Sequence, residues 1–183
     1  MIARRILGVD PGLRTTGYGV VEVRDGALLL IEGGVLQPDA KAPLERRLAQ
    51  LHDAMVEVVR ATRPECMVVE ELWTSYTHPQ TAVLMGHARG VLALAAGANG
   101  VAVRDLAHAA VKRALAGSGA ATKAQVKGMV VQLLRLAAPP QPDDVSDALA
   151  LAIAYANMDA QRERFAELGV LMPHRRSRPA RLA

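Results

Sequence analysis

The sequence contains very few cysteine and aromatic residues. There is one cysteine among 183 residues, and aromatic residues make up only 3% of the chain. A single cysteine excludes an internal disulfide, and Cys66 lies inside an apolar run, which favours a reducing compartment such as the cytoplasm. Because aromatic rings are scarce, aliphatic side chains must build the core.

Long hydrophobic segments are also lacking. The N-terminus carries the basic pair Arg4 and Arg5 without the apolar stretch and cleavage site of a secretory leader. No later run reaches the roughly 18 apolar residues of a membrane span. We therefore expect a soluble, unprocessed protein without membrane contact. Its length and 51% hydrophobic content predict one domain over residues 1–157, followed by a basic, mobile tail over residues 158–183.

Net charge is a weak guide to the partner of this chain. The formal net charge is +4, and the six arginines and two glutamates after residue 161 account for all of it. The remainder of the chain is therefore neutral, so bulk charge alone does not indicate a nucleic-acid partner.

Apolar periodicity and turn signals predict five strands and five helices in an α/β arrangement. Strands one and four can lie side by side and parallel within a mixed sheet that has helices on both faces. The predicted strands are Ile6–Asp10, Gly17–Arg24, Ala27–Leu36, Cys66–Glu70 and Val101–Arg104. The predicted helices run from Pro43 to about Ala61, from Thr77 to about Gly97, from an Asp105 cap to about Ala116, from a Thr122 capping box to about Ala137, and from Asp143 to about Asn157.

Four carboxylates lie at the ends of apolar segments. Asp10 and Glu70 each end a predicted strand, while Asp144 and Asp147 lie at i and i+3 on the last helix. Such a cluster is relieved best by hard divalent cations, Mg²⁺ above all, with Mn²⁺ possible. Two ions about 4 Å apart can activate water against a phosphodiester. The alternative is that these acids only cap helices, support a turn or lie in solvent.

Basic and aromatic residues occur close to these acids. Lys123 lies in the first turn of a helix, where a bound phosphate would offset its conflict with the helix dipole, and Lys112 could join it. Both are equally consistent with solvated surface lysines. Trp73 and Tyr76 follow Glu70 in a short loop, where they could stack on unpaired bases or pack over the next helix.

No other catalytic constellation is evident. The five histidines have no metal-ligand spacing with one another or with Cys66, so we interpret them as structural or exposed. The glycine spacing matches neither a P-loop nor a dinucleotide fingerprint.

Five motifs in this sequence resemble those of the RuvC family of Holliday-junction resolvases, which have a ribonuclease H-like fold. They span residues 7–20 (LGVDPGLRTTGYGV), 69–73 (VEELW), 86–90 (GHARG), 117–123 (GSGAATK) and 144–150 (DVSDALA).

The resemblance implies a homodimer that binds four-way DNA junctions and resolves them by paired, symmetric, metal-dependent nicks in homologous recombination and DNA repair. It also implies branch-migration motor proteins as partners and places the helix after Thr77 at the dimer interface. By motif, the metal-binding and catalytic carboxylates would be Asp10, Glu70, Asp144 and Asp147, with Lys123 as a catalytic cation. The DNA contacts would be Trp73, Tyr76, Lys112, Lys123 and Arg14.

Two other functions are also considered. Asp10-Pro-Gly12 and Gly17-Tyr-Gly19 are similar to the first phosphate loop of actin-like and sugar-kinase-like phosphotransferases and ATPases. Those enzymes close two such domains around a nucleotide, and this chain has room for one. A noncatalytic junction-binding protein is disfavoured by the intact set of four carboxylates.

Overall fold

The computed structural model describes residues 3–71 and 79–169. Within these ranges, five strands form one sheet and five helices pack around it. The strands are β1 (Arg4–Asp10), β2 (Thr16–Arg24), β3 (Ala27–Leu36), β4 (Cys66–Glu70) and β5 (Ala102–Leu106). The helices are α1 (Leu44–Thr62), α2 (Pro79–Ala98), α3 (His108–Ala116), α4 (Lys123–Leu133) and α5 (Asp143–Glu167).

The sheet has the predicted mixed topology, with strand order β3-β2-β1-β4-β5. The three N-terminal strands form an antiparallel meander, whereas β1–β4 and β4–β5 are parallel. The predicted Asp25-Gly26 hairpin is confirmed, since both residues have positive φ angles, 50° and 79°. The carboxyl ends of β1, β4 and β5 therefore meet at one edge of the sheet.

Side-chain alternation divides the core into two layers. Leu7 and Val9 of β1 pack with α1 and α2, whereas Ile6 packs on the other face with α3, α4 and α5. Both layers are aliphatic, as the shortage of aromatic residues requires. Cys66 is buried, and this burial raises the pKa of its thiol to about 11. The thiol thus packs as a small apolar group.

Helix α5 lies directly against the sheet because glycines face it. A Cβ atom on Gly8 would lie 1.9 Å from the carbonyl oxygen of Ala148, and one on Gly17 would lie 2.1 Å from that of Asp144. Any larger residue at either position would push the helix away. These two contacts fix the first turns of α5 beside the end of β1.

The predicted start of α3 and the predicted end of α4 are both wrong. Asp105 does not cap α3, because β5 continues to Leu106 and the N-cap is Ala107, without a side-chain hydrogen bond. Helix α4 ends at Leu133 rather than near Ala137, since Arg135 takes a positive φ of 53°.

Helix α5 is longer than predicted and runs to Glu167 rather than Asn157. Its polar second half pairs with the first strand, because Arg4 forms ion pairs with Asp159 and, at 2.6 Å, with Glu163. Tertiary ion pairs thus extend the helix beyond the point where its apolar pattern fades. It crosses the proposed boundary between residues 157 and 158, and residues 170–183 lie outside the described residues.

Helix α2 is more apolar than the sequence suggested. Its window Thr81–Ala98 has a mean hydropathy of 1.3, is 22% buried, and is long and apolar enough to cross a membrane by length and composition alone. The expectation that no segment is long and apolar enough for a membrane span is therefore wrong, because alanine, valine and leucine keep the mean hydropathy high although glycine, His87 and Arg89 interrupt the apolar run. One side of the helix packs on α1 and β5.

Candidate active site

The end of the parallel strands brings the predicted carboxylates together. Asp10 and Glu70 directly follow the paired residues Val9 and Val69, and alternation points both side chains toward the α5 layer. Asp147 approaches from α5. These three carboxylates line one pocket of about 190 Å³, together with the predicted basic residues Lys112 and Lys123 and with His108.

The electrostatics of Asp10 reflect this convergence. Burial is the main cause that raises its pKa, from 3.8 to about 7, and the negative charges of Asp147, Asp144 and Glu70 raise it further. Lys123 acts in the opposite direction. Asp144 thus contributes charge to the site from one turn before Asp147, although it does not line the pocket itself.

The contacts at the start of α5 distinguish the candidate acids Asp144 and Asp147 from the adjacent Asp143. The N-cap is Pro142 and makes no side-chain hydrogen bond, so neither Asp143 nor Asp144 caps this helix. Asp143 instead pairs with Lys127, whose hydrogen bond holds the pKa of that carboxyl below its usual value. The capping interpretation of Asp144 is therefore wrong.

Lys123 lies at the rim of the pocket, at the N-terminus of α4. The predicted capping box is present, since the Thr122 hydroxyl accepts from the backbone N–H of Gln125 and the Gln125 side chain accepts from that of Thr122. The Lys123 Nζ atom lies 2.8 Å from Asp147 Oδ2, and this hydrogen bond raises the pKa of the lysine. The positive charge of Lys123 is thus balanced by a carboxylate of the site, which offsets its unfavourable interaction with the dipole of α4.

His108 is a member of the site that the sequence interpretation missed. Its Nδ1 atom lies 2.7 Å from Glu70 Oε1, and its ring lines the pocket although its side chain is 58% exposed. It is therefore not a merely structural or solvated histidine. The available signal was positional, because His108 begins the helix that follows β5 and so lies at the same sheet edge as Asp10 and Glu70.

Arg89 of α2 holds the end of β4 from the opposite face of the sheet. It is 17% exposed, donates to the backbone carbonyl of Glu70 at 2.5 Å and pairs with Asp105 of β5. Asp105, predicted as a helix cap, thus anchors this arginine. The strand end that carries Glu70 is consequently fixed by both neighbouring layers.

The remaining candidates lie farther from these contacts. Arg14 is exposed in the loop between β1 and β2 and does not line the pocket. Trp73 and Tyr76 fall outside the described residues, so their predicted DNA contacts remain predictions.

The donor set fits a hard divalent cation. All the acidic groups offer oxygen ligands, and Asp10 is both buried and exposed to the negative charges of its neighbours, which together raise its pKa. As the side chains stand, no group of three or more His, Cys, Asp or Glu residues in the described ranges is arranged so that it could hold a metal ion. Glu70 is paired with His108 and Asp147 with Lys123, so a bound cation would have to share or replace these partners.

Comparisons with known proteins identify the family of this chain. The family model described as crossover junction endodeoxyribonuclease RuvC matches residues 6–155. A protein of that name from Rhodopirellula baltica is 41% identical over 148 residues, which cover 81% of this chain and 83% of that protein.

Solved structures give the same result. Thermus thermophilus RuvC superposes with a TM-score of 0.78 at 36% identity, covering 91% of this chain and 97% of that chain. The T. thermophilus RuvC in complex with Holliday junction substrate gives a TM-score of 0.77 at 31% identity, covering 91% and 96% of the two chains. The ribonuclease H-like fold is thereby confirmed, and the chain belongs to the RuvC family of crossover junction endodeoxyribonucleases.

Proposed function

We propose that this protein is a Holliday-junction resolvase that cuts four-way DNA junctions by paired, symmetric nicks. The observation that carries the proposal is the convergence of carboxylates at one sheet edge, where burial first and then the charges of Asp147, Asp144 and Glu70 raise the pKa of Asp10 to about 7. Such crowding serves no purpose in a purely structural site, because it costs folding free energy. It is the arrangement expected of a site that binds cations during hydrolysis of phosphodiesters.

Membership of this nuclease family implies dependence on a divalent metal ion. We propose Mg²⁺, two ions per site, with Mn²⁺ as a possible substitute. Asp10, Glu70, Asp144 and Asp147 would hold them. When bound, the ions supply activation of water and stabilisation of the leaving oxygen.

The site has separate residues for binding the cation and for contacting the phosphate. Asp10 must be ionised to bind a cation, and its pKa near neutrality means that cation binding displaces a proton from it at neutral pH. Lys123 and Lys112 lie on the α3 and α4 side of the pocket, where they can contact the phosphate that approaches the carboxylates. Trp73 and Tyr76 are proposed to contact unpaired bases at the junction.

Paired nicks require two active sites, and α2 offers a surface for self-association. Its large apolar residues Val83 and Leu94 are 58% and 61% exposed, and Leu84 is 41% exposed. An apolar face of this size on one helix is typical of a subunit interface. We therefore propose that α2 contributes to a homodimer interface.

Leu94→Asp is expected to shift the protein from dimer to monomer, because it places a charge in the apolar contact. Sedimentation equilibrium measures the change. Leu168→Asp is a matched control, since Leu168 is 75% exposed at the end of α5, far along the chain from α2. A dimer of undiminished affinity in Leu94→Asp would exclude this part of α2 from the interface.

A comparison of substrates tests the proposed activity. The protein is incubated in Mg²⁺ with a mobile four-way junction or with a linear duplex of the same sequence, and EDTA serves as the metal-free control. We expect symmetric nicks in the junction, little cutting of the duplex and none in EDTA. Equal cutting of both substrates would contradict junction selectivity.

The same reactions separate the rival functions. A phosphotransferase or ATPase would turn over ATP without cutting DNA, and the match to a nuclease family over residues 6–155 argues against it. A noncatalytic scaffold would bind the junction and leave it intact whichever divalent cation is added.

A further inference from the structure

His108 contacts Glu70 although it lies outside the motifs that define the family resemblance. The Nδ1 atom of the ring is 2.7 Å from Glu70 Oε1. The backbone near both residues is fixed by the sheet, because the N–H of Glu71 donates to the carbonyl of Leu106 at 2.8 Å. The histidine begins α3 two residues later. The contact therefore joins two firmly held strand ends rather than two mobile loops.

A carboxylate that ligates a metal works best when a neighbouring group fixes its orientation. Glutamate has several rotatable bonds, so a free Glu70 would lose conformational entropy when it binds a cation. The close contact of the His108 Nδ1 atom with Oε1 restricts that freedom in advance and leaves the other carboxylate oxygen for a ligand. We infer that His108 is a positioning residue, which orients Glu70 and thereby raises the affinity of the site for divalent cations.

This inference rests on the proposed cation site. It predicts that removal of His108 weakens cation binding, whereas electrostatics alone predicts that removal of a basic group strengthens it. His108 and Lys112 lie one turn apart on α3, and both line the pocket. Removing a basic group from a cation site should strengthen cation binding, because repulsion falls. Loss of positioning should instead weaken it. The two residues thus form a matched pair for the test.

The experiment titrates the full-length protein with Mn²⁺ in the absence of DNA and follows the free ion by electron paramagnetic resonance. His108→Ala is expected to weaken binding by about 10- to 100-fold, the range found when an outer hydrogen-bond partner of a metal ligand is lost. His108→Asn, which keeps a donor near the position of Nδ1, should bind almost as well as the wild type. Lys112→Ala should bind equally or more tightly. Circular dichroism melts establish that each variant is folded at the temperature used.

A double-mutant cycle with Glu70→Gln ties the effect to this contact. In the Glu70→Gln background, His108→Ala should cause no further loss of affinity. Unchanged Mn²⁺ affinity in His108→Ala, an equal loss in both backgrounds, or no Mn²⁺ binding by the wild type would overturn the inference.

Junction cleavage by the wild type, run in parallel, separates this inference from the proposed function. Cleavage with unchanged affinity in His108→Ala rejects only the role of the histidine. His108-dependent Mn²⁺ binding without junction cleavage rejects only the proposed substrate.

Discussion

Asp10→Asn is expected to abolish junction cleavage and to leave junction binding nearly intact. The substitution removes a central oxygen ligand of the cation site, and metal stabilisation of several kcal/mol corresponds to a loss of roughly 1000-fold or more in rate. Binding should persist because a less negative pocket repels phosphate less. A single-turnover nicking assay beside a gel-shift titration measures the two effects, and nicking at the wild-type rate would exclude Asp10 from the site.

The same variant is expected to be more stable than the wild type in metal-free buffer at pH 8. The folded-state pKa of Asp10 is about 7 and lies above its ordinary value of 3.8, so the folded state binds this proton more tightly than the unfolded state. The wild type therefore loses stability as the pH rises from about 4 to about 7, and the full cost remains above that range. The asparagine variant avoids a cost on the order of 4 kcal/mol.

Thermal melts across pH check this half of the prediction. At pH 8 in EDTA, Asp10→Asn should melt roughly 8–16 °C above the wild type, and the difference should vanish near pH 3. Added Mg²⁺ should raise the melting temperature of the wild type more than that of the variant, because the cation stabilises the ionised Asp10 carboxylate. Equal melting temperatures at pH 8 would mean that neither burial nor the neighbouring charges destabilise the ionised Asp10.

Gly17→Ala is expected to damage the active site without changing any ligand. The new Cβ atom would lie 2.1 Å from the carbonyl oxygen of Asp144 and 2.8 Å from its Cβ atom, so the first turn of α5 must move. Overpacking of this kind costs about 1–3 kcal/mol of stability. A displacement of about 1 Å at a catalytic group can cost around 100-fold in rate. Asp144 and Asp147 would both be carried away from Asp10.

Gly128→Ala is the matched control for this substitution. Gly128 lies within α4, and a Cβ atom there would meet nothing within 4 Å. Alanine at that position should stabilise the protein by about 1 kcal/mol through helix propensity and should not alter cleavage. Nicking rates and urea unfolding of both variants make the comparison. Wild-type cleavage by Gly17→Ala would show that the close approach of α5 does not position the carboxylates.

The sequence predicted the sheet and the carboxylates because both follow from short-range patterns. Alternation and apolar runs identified all five strands, and parallel pairing of the first and fourth placed Asp10 beside Glu70. The capping box at Thr122 is likewise a local signal. These features needed no knowledge of distant contacts.

The features that were missed depend on tertiary contacts. The extension of α5 follows from ion pairs between Arg4 and acids more than 150 residues away in sequence. Arg89 and Asp105 meet only because α2 crosses the sheet beside β5. The contact of His108 with Glu70 joins residues 38 positions apart, and histidine spacing along the chain gives no indication of it.

Adjacent residues at a helix start look alike in sequence, and the family resemblance is what favours Asp144 over Asp143. In the structure, Asp143 pairs with Lys127 and lies 3.7 Å from the Lys123 Nζ atom, whereas the negative charge of Asp144 acts on Asp10. The metal-binding role of Asp144 stays a prediction.

Anomalous diffraction from crystals soaked in Mn²⁺ tests most directly whether these carboxylates form one cation site. We expect anomalous density in the pocket between Asp10, Glu70 and Asp147, and its loss in crystals of Asp10→Asn. Density that appears only elsewhere on a protein that still nicks junctions in Mn²⁺ would contradict it.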